Sequence, residues 1–150
     1  MKIHTILATL LFTPALLMAE PGHDHSHDDH GHDHGHGHEV KVEIPATLRA
    51  LWQGIESQHA SLSTAVEKKD AAAAHTAEET LQAYLAAVPE KTADLDDAKK
   101  QRIDGQAKNL ARAYDNVHHA ADEADWSKSE KEMKKAAGVM KLLASQMPKA

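Results

Sequence analysis

The chain has 150 residues, with 23 Asp and Glu against 17 Lys and Arg, 13 His and no Cys. That length suits one ordinary domain, and the lack of Cys excludes disulfides, thiolate metal sites, covalent haem attachment and thiol catalysis. The acidic balance, with no basic patch, argues against nucleic acid as a partner.

Met1 to Ala19 reads as a cleaved secretory signal peptide. Lys2 supplies the positive start, Ile6 to Met18 the apolar run, and Ala19 the cleavage residue. The run is too short for a comfortable membrane span and no stop-transfer pattern follows. No Cys follows it to carry a lipid. A periplasmic protein without stable membrane insertion is expected.

Residues 20–39 contain only His, Asp, Gly, Ser, Pro and Glu. With nothing apolar to bury, this segment is expected to be disordered without metal. It also holds six of the acids: Glu20, Asp24, Asp28, Asp29, Asp33 and Glu39. Beyond it remain 17 acids (23 less these six) and 16 bases (17 less Lys2), a nearly neutral balance.

His23, His25, His27, His30, His32, His34, His36 and His38 fall within sixteen residues of this tail. In an extended chain alternate side chains point the same way, so a His-x-His pair can chelate one ion. Glycine spacers let the backbone wrap around it. Neutral imidazole suits Zn, Ni, Co and Cu(II), and Asp24, Asp28, Asp29 and Asp33 can complete the shell. Interchangeable ligands imply overlapping sites of poor selectivity. Protons compete for the same nitrogens, so binding is expected to weaken as pH falls through about 6.5.

Residues 40–150 read as four helices in an all-α, antiparallel up-and-down bundle. Helix 1 is expected to start near Pro45, with the stripe Ile44, Leu48, Leu51, Ile55, His59, Leu62 and Val66. Asp70 caps helix 2, whose stripe is Ala74, Ala77, Leu81, Tyr84 and Val88, and Pro89 is expected to end it. Helix 3 begins around Asp94 to Asp97, where acids suit the positive helix end. It carries Ile103, Ala107, Leu110, Tyr114, Val117, Ala121 and Ala124, with Gly105 as a mild weakness. Ser127-Lys128-Ser129-Glu130 reads as a capping box for helix 4, which carries Met133, Ala136, Met140, Leu143 and Met147 and stops at Pro148. A weak repeat at a 59-residue shift aligns Leu51 with Leu110, His59 with His118 and Pro89 with Pro148.

Two acid-x-x-His pairs fall inside the bundle: Glu56 with His59 on helix 1, and Asp115 with His118 on helix 3. Such pairs on facing helices serve di-metal carboxylate bundles, because residues three apart share a face. They form the internal-site alternative. His75 reads as a boundary residue and His119 as pointing outward. Met133, Met140 and Met147, seven apart, read as core packing rather than a Cu(I) or haem site. No Ser-His-Asp order, Gly-rich phosphate loop or basic aromatic strip appears, so no enzyme is expected.

The tract from Gly22 to His38 resembles the His-rich segments of zinc transporters and periplasmic zinc-handling proteins, which implies metal binding. The remaining helices are similar in architecture to periplasmic bundles of the cytochrome b562 type and to metal-resistance accessory proteins. The cytochrome's haem ligands, a Met early in helix 1 and a His late in helix 4, are absent, since helix 4 holds no His. Together these features give the expectation of a metal-binding accessory protein. It would buffer Zn, Ni, Co or Cu, or pass them to a metal efflux or uptake transporter. The alternatives are a bundle metalloprotein with an internal di-metal or haem-type site, and a structural or stress bundle with a metal-responsive tail.

Overall fold

The computed structural model describes residues 41–147. The expected leader, the whole histidine tail and Pro148 lie outside them. Four helices follow in order: α1 (Leu48–Lys68), α2 (Ala71–Lys91), α3 (Asp97–Asp122) and α4 (Trp126–Ala144). Each packs on its neighbour in sequence, which makes an antiparallel up-and-down bundle. α1 meets α4 far more sparsely than it meets α2.

The helix starts are set by side-chain oxygens that accept the first free backbone N–H groups. Thr47 accepts from Ala50 N at 3.1 Å, Asp70 from Ala73 N at 3.0 Å, Asp96 from Lys99 N at 2.9 Å and Asp125 from Lys128 N at 3.0 Å. Two boundary expectations are thereby corrected. Helix 1 begins after Thr47, not at Pro45, because the Thr hydroxyl supplies the cap. Ile44 therefore lies ahead of the helix and is exposed. Helix 4 is capped by Asp125 rather than Ser127. Ser129 of the expected capping box is instead fully buried, and its hydroxyl lies 3.1 Å from the Asp125 carbonyl.

Pro89 does not end α2, which runs on to Lys91. A proline this close to the C-terminus forfeits one backbone bond without disturbing the donors after it. Thr92 N still donates to Val88 O at 3.0 Å. The buried Thr92 hydroxyl also stands 3.1 Å from Asp104 Oδ1, tying the end of α2 to the start of α3.

The first and third turns are built alike. Lys69 (φ 58°) and Ala124 (φ 54°) take the left-handed conformation, each directly before a capping Asp. Ala124 is thus an exposed turn residue, not the last member of the α3 stripe. These matching turns stand 55 positions apart (124 less 69), not 59. At that offset buried Ile55 corresponds to Leu110, Leu62 to Val117, and Leu81 to Ala136. The weak repeat seen at 59 is displaced from this burial pattern by one helical turn.

The predicted stripes otherwise form the core. Leu51, Ile55, Leu62, Leu81, Val88, Ile103, Leu110, Tyr114, Val117 and Leu143 are fully enclosed. Met133, Met140 and Met147 are buried among them, as packing rather than as an open thioether site. α1 and α2 approach closely at Gly54, where a Cβ would stand 2.7 Å from the Tyr84 ring.

Candidate functional site

His75, Glu78, Glu79 and Gln82 share the face of α2 turned towards α3, because offsets of three, four and seven residues return to one side of a helix. On α3, His118 and Asp122 are four apart. Antiparallel packing brings the start of α2 beside the end of α3. The same register joins His75 to His118, ring nitrogen to ring nitrogen at 2.9 Å, and Gln82 Nε2 to the Ala111 carbonyl at 3.0 Å.

The result is a cluster of two imidazoles and three carboxylates. The two rings lie 4.7 Å apart between centroids. His75 Nδ1 faces His118 Nε2, and His118 Nε2 also stands 3.0 Å from Asp122 Oδ2. The outward nitrogens face carboxylates as well. His75 Nε2 is 3.2 Å from Glu79 Oε1, and His118 Nδ1 is 3.5 Å from Glu78 Oε2. The cluster grades from interior to water: the Glu78 side chain is 6% exposed, His118 17% and Asp122 49%. Burial pushes the Glu78 carboxyl above its ordinary range. A 2.6 Å hydrogen bond from Gln82 and the nearby His118 work against that rise.

His59 has a different neighbour. Its Nδ1 lies 2.8 Å from the hydroxyl of buried Tyr114 on α3, and its side chain also lines a groove of about 410 Å³ between α1 and α4 with Met133 and Lys134. Burial lowers the His59 pKa and raises that of Tyr114. Both groups are therefore neutral at neutral pH. The phenol and the imidazole share one hydrogen bond, and the imidazole tautomer sets which of them donates.

The two acid-x-x-His pairs do not come together. Glu56 is exposed on α1. Asp115 is exposed on α3 and lies 3.4 Å from His119, its neighbour one turn on. His59 and His118 belong to separate polar contacts, His59 with Tyr114 and His118 with His75, Glu78 and Asp122. Among the described residues, no three His, Asp or Glu side chains stand ready-made around one metal ion. His75 as partner of His118, and Asp122 beside them, escaped the sequence reading. The available signal was His-x-x-Glu-Glu near the start of one helix and His-x-x-x-Asp near the end of the next, joined by a short connection. The tail ligands His23, His25, His27, His30, His32, His34, His36 and His38, with Asp24, Asp28, Asp29 and Asp33, lie outside the described residues.

No helix among the described residues is long and apolar enough to cross a membrane. No protein family, curated protein or solved structure matches the chain.

Proposed function

We propose that this protein is an exported, periplasmic metal-binding accessory protein, not an enzyme. It captures Zn, Ni, Co or Cu ions through its histidine tail. One observation carries the reading: eight His at nearly alternate positions within sixteen residues, interspersed with Asp and Gly. Unprotonated imidazoles at that spacing chelate borderline cations in pairs, and nearby carboxylates add charge and ligands. The four-helix architecture is compatible with the bundles of haem-free metal-resistance accessory proteins. In this reading the bundle is the folded carrier, and a metal efflux or uptake transporter is the partner that receives or supplies the ion.

The test is calorimetric titration of zinc or nickel salts into the chain lacking residues 1–19. Several ions should bind at about pH 7.5, and affinity should fall markedly at about pH 5.5, because protons occupy the same nitrogens. No binding at the higher pH would overturn the reading. Equal affinity at both would rule out imidazole as the ligand.

A further inference from the structure

We infer that the groove between α1 and α4 is a binding site for a small organic monocation, an ammonium group carried on an apolar body.

The groove exists because the bundle closes unevenly. Helices adjacent in sequence pack closely, whereas α1 meets α4 sparsely and leaves that seam open over about 410 Å³. Pockets for small ligands occupy about 300–1,000 Å³. The floor is apolar, formed by Val66 of α1 with Met133 and Ala137 of α4. An apolar body laid along it leaves water together with that floor.

The α1 wall offers polar atoms that the fold does not use. The hydroxyls of Ser61 and Thr64 donate to carbonyls four residues back. Ser63 lines the groove, and its hydroxyl has no partner among the described residues. His59, one turn earlier, commits Nδ1 to the buried Tyr114, which anchors the ring from across the bundle. His59 Nε2 has no protein partner. Among the described residues no buried side-chain polar atom is unpartnered, so Nε2 is reached by water.

Charge decides the class of ligand. α1 and α4 run antiparallel, so Glu67 and Glu130 stand at one end of the groove and His59 and Ala137 at the other. Lys134 follows Glu130 by one turn. These three side chains are exposed, and none has an ion partner among the described residues. Burial lowers the His59 pKa, so the ring adds no charge at neutral pH. Two carboxylates against one ammonium leave the groove one negative charge, which a monocation neutralises. An ammonium group brings three N–H donors. Glu67, Glu130 and the Ser63 hydroxyl supply acceptors for them. An anionic ligand would meet two carboxylates instead. Nothing in this argument draws on the histidine tail.

The test titrates phenethylammonium chloride into the chain lacking residues 1–19 at about pH 7.5, where the His59 ring is neutral, and follows amide and imidazole resonances. The shifts should saturate and should gather at Ser63, Val66, Met133, Ala137 and the His59 ring. Phenylacetate and phenethyl alcohol, which carry the same apolar body, should bind more weakly. Glu67→Gln and Glu130→Gln, at exposed positions, should each weaken the ammonium about 1.5–5-fold, and Lys134→Gln should strengthen it by a similar factor. Ala137→Leu, which fills the groove, should abolish binding while circular dichroism shows the helices retained. Should that variant lose helix, the two Glu variants decide. The inference is overturned if no resonance saturates, if the three probes bind alike, or if the shifts fall on the tail instead. Groove resonances that move with protein concentration alone would assign the groove to a second copy of the chain and overturn it equally.

Discussion

At His59, burial sets a pH dependence whose sign follows from the direction of the shift. The folded pKa lies below the ordinary imidazole value of about 6.5. Between the two values the unfolded chain binds more protons than the folded one, so stability rises with pH. The contribution is complete above about 6.5 and is lost as pH falls through that value towards the folded pKa. Replacing His59 by Gln keeps a hydrogen-bonding group beside Tyr114 but removes the titration. The stability loss between about pH 7 and pH 5 should therefore be smaller in His59→Gln than in the parent, as read by urea denaturation at each pH. The tail is identical in both chains, so its contribution cancels. Glu78 acts with the opposite sign, because its folded pKa is raised: protonation relieves a strained carboxylate and favours the folded form. Neither environment was legible beforehand. The stripe placed His59 on an inward face, yet which side chain it would meet depended on α3.

At the scale of the helix, termini follow hydrogen-bond chemistry more than residue statistics. Asp125 and Ser127 both resemble N-caps in sequence, and only the turn geometry separates them. Ala124 in the left-handed conformation turns the chain so that the Asp125 carboxylate meets Lys128 N. Asp125→Ala should cost about 1 kcal/mol in denaturant unfolding, while exposed Ser127→Ala should leave stability nearly unchanged. The reverse ranking would return the cap to Ser127. Ser129, two residues on, belongs to the interior: its hydroxyl lies 3.1 Å from Asp125 O and 3.5 Å from Val117 O. A polar residue buried at a helix start looks like a cap in sequence, because composition cannot tell which oxygen points at the free N–H groups. Pro89 is the converse case. Proline marks helix ends on average, but what it removes is one donor, and α2 lost that donor too near its end to stop there.

At the scale of the described bundle, side chains of the four helices close the apolar interior. Leu, Ile, Val and Ala side chains from all four helices are enclosed, and among the described residues no buried side-chain polar atom lacks a partner. Folding should therefore be independent of ions, unlike that of small zinc domains. EDTA should leave the far-ultraviolet circular dichroism and the cooperative thermal transition in place; loss of helix on chelation would make the metal structural. The sequence by itself determined the class of this fold and nearly all of its core. A 3.6-residue apolar period and capping Asp residues are local signals, written along single helices. It also raised the expectation of metal binding by the histidine tail, which rests on composition and spacing. Tertiary structure alone decided which polar side chains meet. Helical spacing places Glu56 near His59 and Asp115 near His118, but rotation of each helix sends the acids to the surface. The antiparallel register of α2 on α3 brings His75, Glu78, His118 and Asp122 together instead. A contact between helices depends on the phase and register of both, and neither is encoded within one helix alone.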